Sequence, residues 1–158
     1  MPSAKEWLTE SELTLLQLWD KRRAGRTMPE RSDITPEDLF PWLGYLHLLA
    51  PIDGGRDFRY VIFTTRTLVG RDRDMTGKFV SDWGDERVVH AMRLYRAVVD
   101  HARPVYNSTP ERHEDDWVVH SRLCLPLGTE DTVTHIISML TPVKGDYRDP
   151  IHPTVVDP

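Results

Sequence analysis

The last third of the chain reads as three strand-like segments with almost nothing between them. "PVYNSTPE" (Pro104 to Glu111), "DWVVHSRLCLPL" (Asp116 to Leu127) and "DTVTHIISMLTPV" (Asp131 to Val143) carry strand-forming residues, and "GTED" (Gly128 to Asp131) turns the last pair. A turn that short can only reverse the chain, because parallel neighbours need a crossover of a dozen or more residues. An earlier pair, "YLHLLAPI" (Tyr45 to Ile52) and "DFRYVIFTT" (Asp57 to Thr65), is joined by Asp53-Gly54-Gly55 and reads as an antiparallel hairpin. Between the two groups, Asp85 to Ala102 places Val88, Met92, Tyr95, Val99 and Ala102 at helical spacing, and Arg103-Pro104 stops it. Strands grouped at both ends with helices between them specify an α+β domain: an antiparallel sheet with helices on one face. The alternating βαβ plan of a dinucleotide-binding fold is excluded.

Upstream, Thr9 or Ser11 can cap a helix whose first turn holds Glu10 and Glu12 and whose end holds Lys21, Arg22 and Arg23 before Gly25. Its apolar residues, Leu13, Leu15, Leu16, Leu18 and Trp19, cover more than the single stripe a surface helix needs. One side is expected to pack on its own domain, with Leu15, Leu18 and Trp19 offered to a second copy or a partner signalling protein. The alternative, in which the domain's own sheet covers the whole width, stays open. In "MPERSDITPEDLFPWL", Thr35, Pro36 and Asp38 form a capping-box-like start that Pro41 ends after little more than a turn. The tail from Lys144 holds three of the 12 prolines without periodicity and is expected to be loosely attached. The expected divisions are residues 1–26 for the helix and link, 27–143 for the domain, and 144–158 for the extension.

A net charge of -5, from 20 basic and 25 acidic residues, gives no global field toward nucleic acid or anionic lipid. No apolar run reaches membrane-spanning length and no export signal is visible, so a cytoplasmic protein is expected, without nucleic-acid or membrane partners. A lone Cys124 forms no internal disulfide and sits in a strand-like run as a buried thiol. Asp72, Asp74, Thr76 and Gly77 imitate the start of a calcium loop, but position twelve is Trp83, which has no oxygen ligand. That stretch is expected to be a turn and hinge, with Gly77 at positive φ and Trp83 anchoring the chain as it enters the long helix.

The order of elements resembles the PAS fold, a five-stranded antiparallel sheet whose helices wall a small pocket. More narrowly, the chain is similar to a family of stand-alone bacterial PAS-like proteins with an M-P-x-R-x-D-I-x-P segment, here Met28, Pro29, Arg31, Asp33, Ile34 and Pro36. Phe58-Arg59-Tyr60 in the second strand, the turn from Gly70 to Gly77, and "RPVY" (Arg103 to Tyr106) match that family as well. The family's second strand ends in glycine, where this chain has Thr64-Thr65. The resemblance spans roughly residues 11 to 143. It implies a sensory or regulatory binding module and no particular ligand or cofactor.

Strand alternation puts Phe58, Tyr60 and Ile62 on one face, and a pocket is expected between them, the helix residues Met92, Tyr95 and Val99, and the strand residues Leu123, Leu125, Ile137 and Met139. Whether that space is filled or hollow stays open at this level. A covalent flavin adduct is unsupported, because the chain has "TTRTLVGRD" where flavin-binding PAS relatives place their cysteine. Haem-binding relatives use one helical histidine, which makes His90 the residue to test, although Arg87 and Arg93 at helical spacing assign it to a solvated face. The row Arg87, His90, Arg93 and Arg96 could dock an acidic partner or simply stay wet. The expected function is therefore a non-enzymatic PAS-like module that binds a small ligand or a partner and, with no output domain after Val143, signals in trans. The competing readings are a small enzyme using His90 or His120 beside a carboxylate, and a haem sensor.

Overall fold

The computed structural model describes residues 4–64, 73–113, 116–143 and 152–158. Thr9 starts helix α1 (Glu10–Arg23): its hydroxyl accepts the Glu12 amide at 3.1 Å, and Glu12 Oε1 accepts the Thr9 amide at 3.0 Å. This reciprocal pair satisfies two of the amides a helix start leaves without partners. The helix ends at Ala24, whose φ of 50° puts it in the left-handed region. Thr35 and Asp38 close the same kind of box at 3.0 and 3.2 Å, but Pro36 to Leu39 form turns, and Phe40–Trp42 follows as a single 3-10 turn.

The strands are β1 (Leu46–Ile52), β2 (Asp57–Ile62), β3 (Val105–His113), β4 (Asp116–Thr129), β5 (Thr132–Val143) and β6 (Thr154–Val155). Among the described residues they form one six-stranded antiparallel sheet in the order β2-β1-β5-β4-β3-β6. The sheet has one strand more than expected because the tail does not hang free. Thr154 and Val155 pair with Tyr106 and Val105, the Val156 amide donates to the Pro104 carbonyl at 2.9 Å, and Asp157 pairs with Arg103. Val156 is 1% exposed and belongs to the core. A two-residue strand gives too little pattern to read, yet the preformed edge of β3 supplies half of its ladder.

The long helix α2 (Arg87–His101) lies on one face of the sheet, where Tyr95 Oη donates to Ser138 Oγ at 3.2 Å. Helix α1 lies on the other. There Ser121 Oγ lies 2.9 Å from both Glu12 oxygens, and Trp19 Nε1 donates to the Pro126 carbonyl at 2.8 Å. Cross-strand partners share a face and strand neighbours alternate. Leu123, paired with Met139, and Leu125, paired with Ile137, therefore lie with Ser121 on the α1 face. Arg122, Cys124 and Ser138 lie under α2. The expectation that Leu123, Leu125, Ile137 and Met139 face α2 is corrected. Every residue from His120 to Gly128 is buried, so both faces of β4 are covered and alternation carries no inside-outside contrast.

Two further expectations change for local reasons. Leu48 and Leu49 pair with Ile62 and Tyr60, which leaves Val61 as an extra residue in β2. This bulge shifts the alternation by one: Ile62 is 56% exposed, and Phe63, at 7%, takes the inward place. In α1, Leu15 and Trp19 are not offered to a partner but are buried in the chain's own core, while Leu18 is half-buried against it. Helix α1 is wide in apolar residues because it is an integral layer of the domain. Of the suspected calcium loop, Asp72 lies outside the described residues. Asp74 accepts the Thr76 amide at 2.9 Å, and Gly77 takes a φ of 80°, so the described part is a turn.

Candidate ligand sites

On the α2 face, the helix and the sheet bring together Phe58, Tyr60 and Tyr95 as the sequence predicts. The Phe58 and Tyr95 rings lie 5.5 Å apart, and all three side chains are buried. Val99 packs on the hairpin near Gly55, and Met92 is half-buried at the margin of the core. Trp83, absent from the predicted set, closes the space by donating from Nε1 to Tyr60 Oη at 3.1 Å, with Arg87 and Arg73 stacked on its ring at 3.9 and 4.7 Å. Asp85 holds Arg87 at 2.7 Å, and this hydrogen bond keeps its carboxyl below the usual range. Between these side chains, His47 and Arg122 remains a cavity of about 20 Å³, which is room for about one water. The predicted pocket is filled by its own aromatic side chains.

The groups around this cavity are tuned by burial. His47 is lowered to about 3, first by desolvation and then by the Arg122 charge. Its Nδ1 accepts the Thr64 amide at 3.0 Å, so the neutral ring carries its proton on Nε2. Cys124 is pushed up to about 12 by burial, which keeps the thiol protonated and unreactive. Burial likewise raises the Tyr60 and Tyr95 hydroxyls. His120 is fully buried in β4, whereas His90 stands on the exposed side of α2. The two candidate histidines thus occupy different environments on different elements. In the basic row, Arg87 is held by Asp85, and Arg96 closes the β1-β2 turn through the Gly55 and Arg56 carbonyls, both at 3.0 Å. His90 and Arg93 are left facing solvent. Among the described residues, no group of three His, Cys, Asp or Glu side chains is placed to hold a metal ion.

The larger space lies on the opposite face, where sequence reasoning did not look. The Met28 to Leu43 segment runs beside α1, fixed at one end by Trp42 Nε1 donating to the Ser11 carbonyl at 3.1 Å and at the other by the Gly128 amide donating to the Pro29 carbonyl at 2.9 Å. Gly128 is needed there, since a Cβ would collide with the Thr132 carbonyl and press on Met28 Sδ. Between this segment and strands β1, β2 and β5 opens a cleft of about 980 Å³. Its floor is apolar, with Leu46, Leu48, Ile62 and Ile137, and its far wall carries Ile34, Leu39 and Leu43. Arg31, Ser32, Thr129 and Thr134 line the polar side. His47 and Phe63, stacked at 4.2 Å, line both the cleft and the small cavity and so form the partition between them. Of the predicted pocket residues, Ile62 and Ile137 belong to this cleft. The one signal in the sequence was a long, weakly structured segment carrying apolar residues at Ile34, Leu39 and Leu43, which is a chain that must lie on something.

The sheet order, with α2 across one face and its hairpins at both ends, agrees with a family model described as PAS domain, which matches residues 8–141. The chain belongs to the PAS-domain family. No curated protein and no solved structure matches it. As a PAS domain it is of a sensory or regulatory type that binds a ligand or a partner. No helix among its described residues is long and apolar enough to cross a membrane.

Proposed function

We propose that this PAS domain is a non-catalytic regulatory module that takes a small apolar ligand in the cleft of the α1 face and acts in trans on a partner protein in the cytoplasm. The observation that carries the reading is the contrast in space. The region between α2 and the sheet holds about 20 Å³, whereas the cleft holds about 980 Å³, within the size range of small-molecule sites. The partner surface is supported by Phe40 and Tyr45, which are 72% and 46% exposed beside the cleft, large apolar groups that a monomer has reason to cover.

Membership in the narrower family with the M-P-x-R-x-D-I-x-P segment is part of the proposal, and the places these residues occupy support it. Met28 and Ile34 are buried, the Pro29 carbonyl ties the segment to β4, and Asp33 pairs with Arg26 at 2.9 Å. Arg31 and Pro36 line the cleft. The segment is the cleft's outer wall, so chains that share it would share the site. Fluorescence of the neutral dye Nile red tests the reading. The wild-type chain should bind and brighten the dye, and Ile62→Asp, on a residue exposed enough to leave folding intact, should abolish binding. Equal brightening by the two proteins, with unchanged melting temperatures, would refute the assignment.

A further inference from the structure

We infer that the cleft is built for a single-chain amphiphile with a carboxylate head, the head on Arg31 and the chain along Leu48 and Ile62. The inference rests on the cleft being the ligand site. Arg22, Arg23, Arg26, Arg73, Arg87 and Arg103 each pair with an aspartate. Arg31 pairs with no carboxylate among the described residues. Its guanidinium instead lies 3.4 Å from His135 Nε2. Arg31 thus stands at the polar end of an apolar trough without a carboxylate partner among the described residues, its guanidinium facing a neutral imidazole. The Arg31 charge adds to burial in keeping His135 below its ordinary value, so the histidine is the neutral neighbour of the guanidinium.

The immediate surroundings fit an anionic head. His135 Nδ1 lies 3.1 Å from Thr134 Oγ1, whose hydroxyl donates to the Leu127 carbonyl at 3.3 Å, and Ser32 brings a hydroxyl to the same side of the cleft. Among the described residues lining the cleft Glu30 is the one acid; its Oε1 accepts the Thr129 hydroxyl at 3.5 Å, and it makes no ion pair with Arg31. A planar guanidinium offers a carboxylate two parallel donors, a geometry a neutral alcohol cannot use. From the head, the chain of the ligand would run over Leu46 and Leu48 toward Ile62, where 56% exposure leaves apolar surface to be covered.

Calorimetric titration with decanoate and with decanol, each below its aggregation limit, tests this on the full chain. The wild type should bind decanoate about tenfold or more tightly than decanol, the ratio expected of one charge-assisted hydrogen-bonded contact. Arg31→Gln should bring the two affinities to near parity by weakening decanoate far more than decanol, and its exposed position keeps the fold intact. Equal affinities in the wild type, or a preference retained in Arg31→Gln, would overturn the anionic head and leave the cleft reading standing. Binding of neither compound would overturn the cleft reading, and the inference with it.

Discussion

Truncating Trp19 separates the two roles that helix α1 could have. The indole is 1% exposed, and its N-H donates to the Pro126 carbonyl at 2.8 Å, 107 residues away in sequence. Trp19→Ala removes a large fully buried side chain, a change that costs about 3 to 5 kcal/mol in packed cores. At roughly 3 °C per kcal/mol for a chain of this size, melting should fall by roughly 10 °C or more. Trp19→Phe keeps much of the volume but loses the donor, and about 1 to 2 kcal/mol should go with it. Leu18→Glu, on the half-buried flank, should cost less than either. Urea unfolding with mass measurement in solution reads all three. A Trp19→Ala protein within about 1 kcal/mol of wild type, with an altered oligomeric mass, would refute the claim that α1 is a layer of its own domain.

Two other perturbations probe the remaining layers. His47 titrates near 3 when folded and near 6.5 when unfolded. Between those pH values the unfolded chain holds the extra proton, so stability falls as pH drops from about 6.5 toward 3, by a total on the order of a few kcal/mol, and is indifferent to this group at higher pH. His47→Asn should flatten that slope in urea titrations between pH 6.5 and 4, and an unchanged slope would mean that the ring is not held neutral. At the other end of the sheet, Val156→Asp would bury a carboxylate in the core, costing about 2 to 4 kcal/mol and speeding hydrogen exchange at the start of β3. Unaltered exchange there would show that β6 does not protect the edge.

Much of the framework was legible because it depends on local signals. Short turns forced antiparallel pairing, the spacing of Val88, Met92, Tyr95 and Val99 marked α2, and Thr9 or Ser11 with the acidic first turn of Glu10 and Glu12 marked the start of α1, where the structure makes Thr9 the cap. The misreadings came where local pattern loses its meaning. Period-two alternation reports which residues share a face, but in β4 both faces are buried, so Leu123 and Leu125 were grouped correctly and assigned to the wrong helix. One extra residue, Val61, moved Ile62 out of the predicted pocket. The cleft was not legible because its walls come from Met28 to Leu43, the end of β2 and the β4-β5 turn, which only the fold brings together; the M-P-x-R-x-D-I-x-P residues mark one wall without showing what it faces.

The proposed ligand site is on the α1 face and not beneath α2. Methyl-resolved NMR during titration with decanol addresses it directly. Shifts are expected at Leu43, Leu48, Ile62 and Ile137, with Leu94 and Val98 of α2 unmoved. Shifts confined to Leu94 and Val98, with the cleft methyls silent, would contradict it.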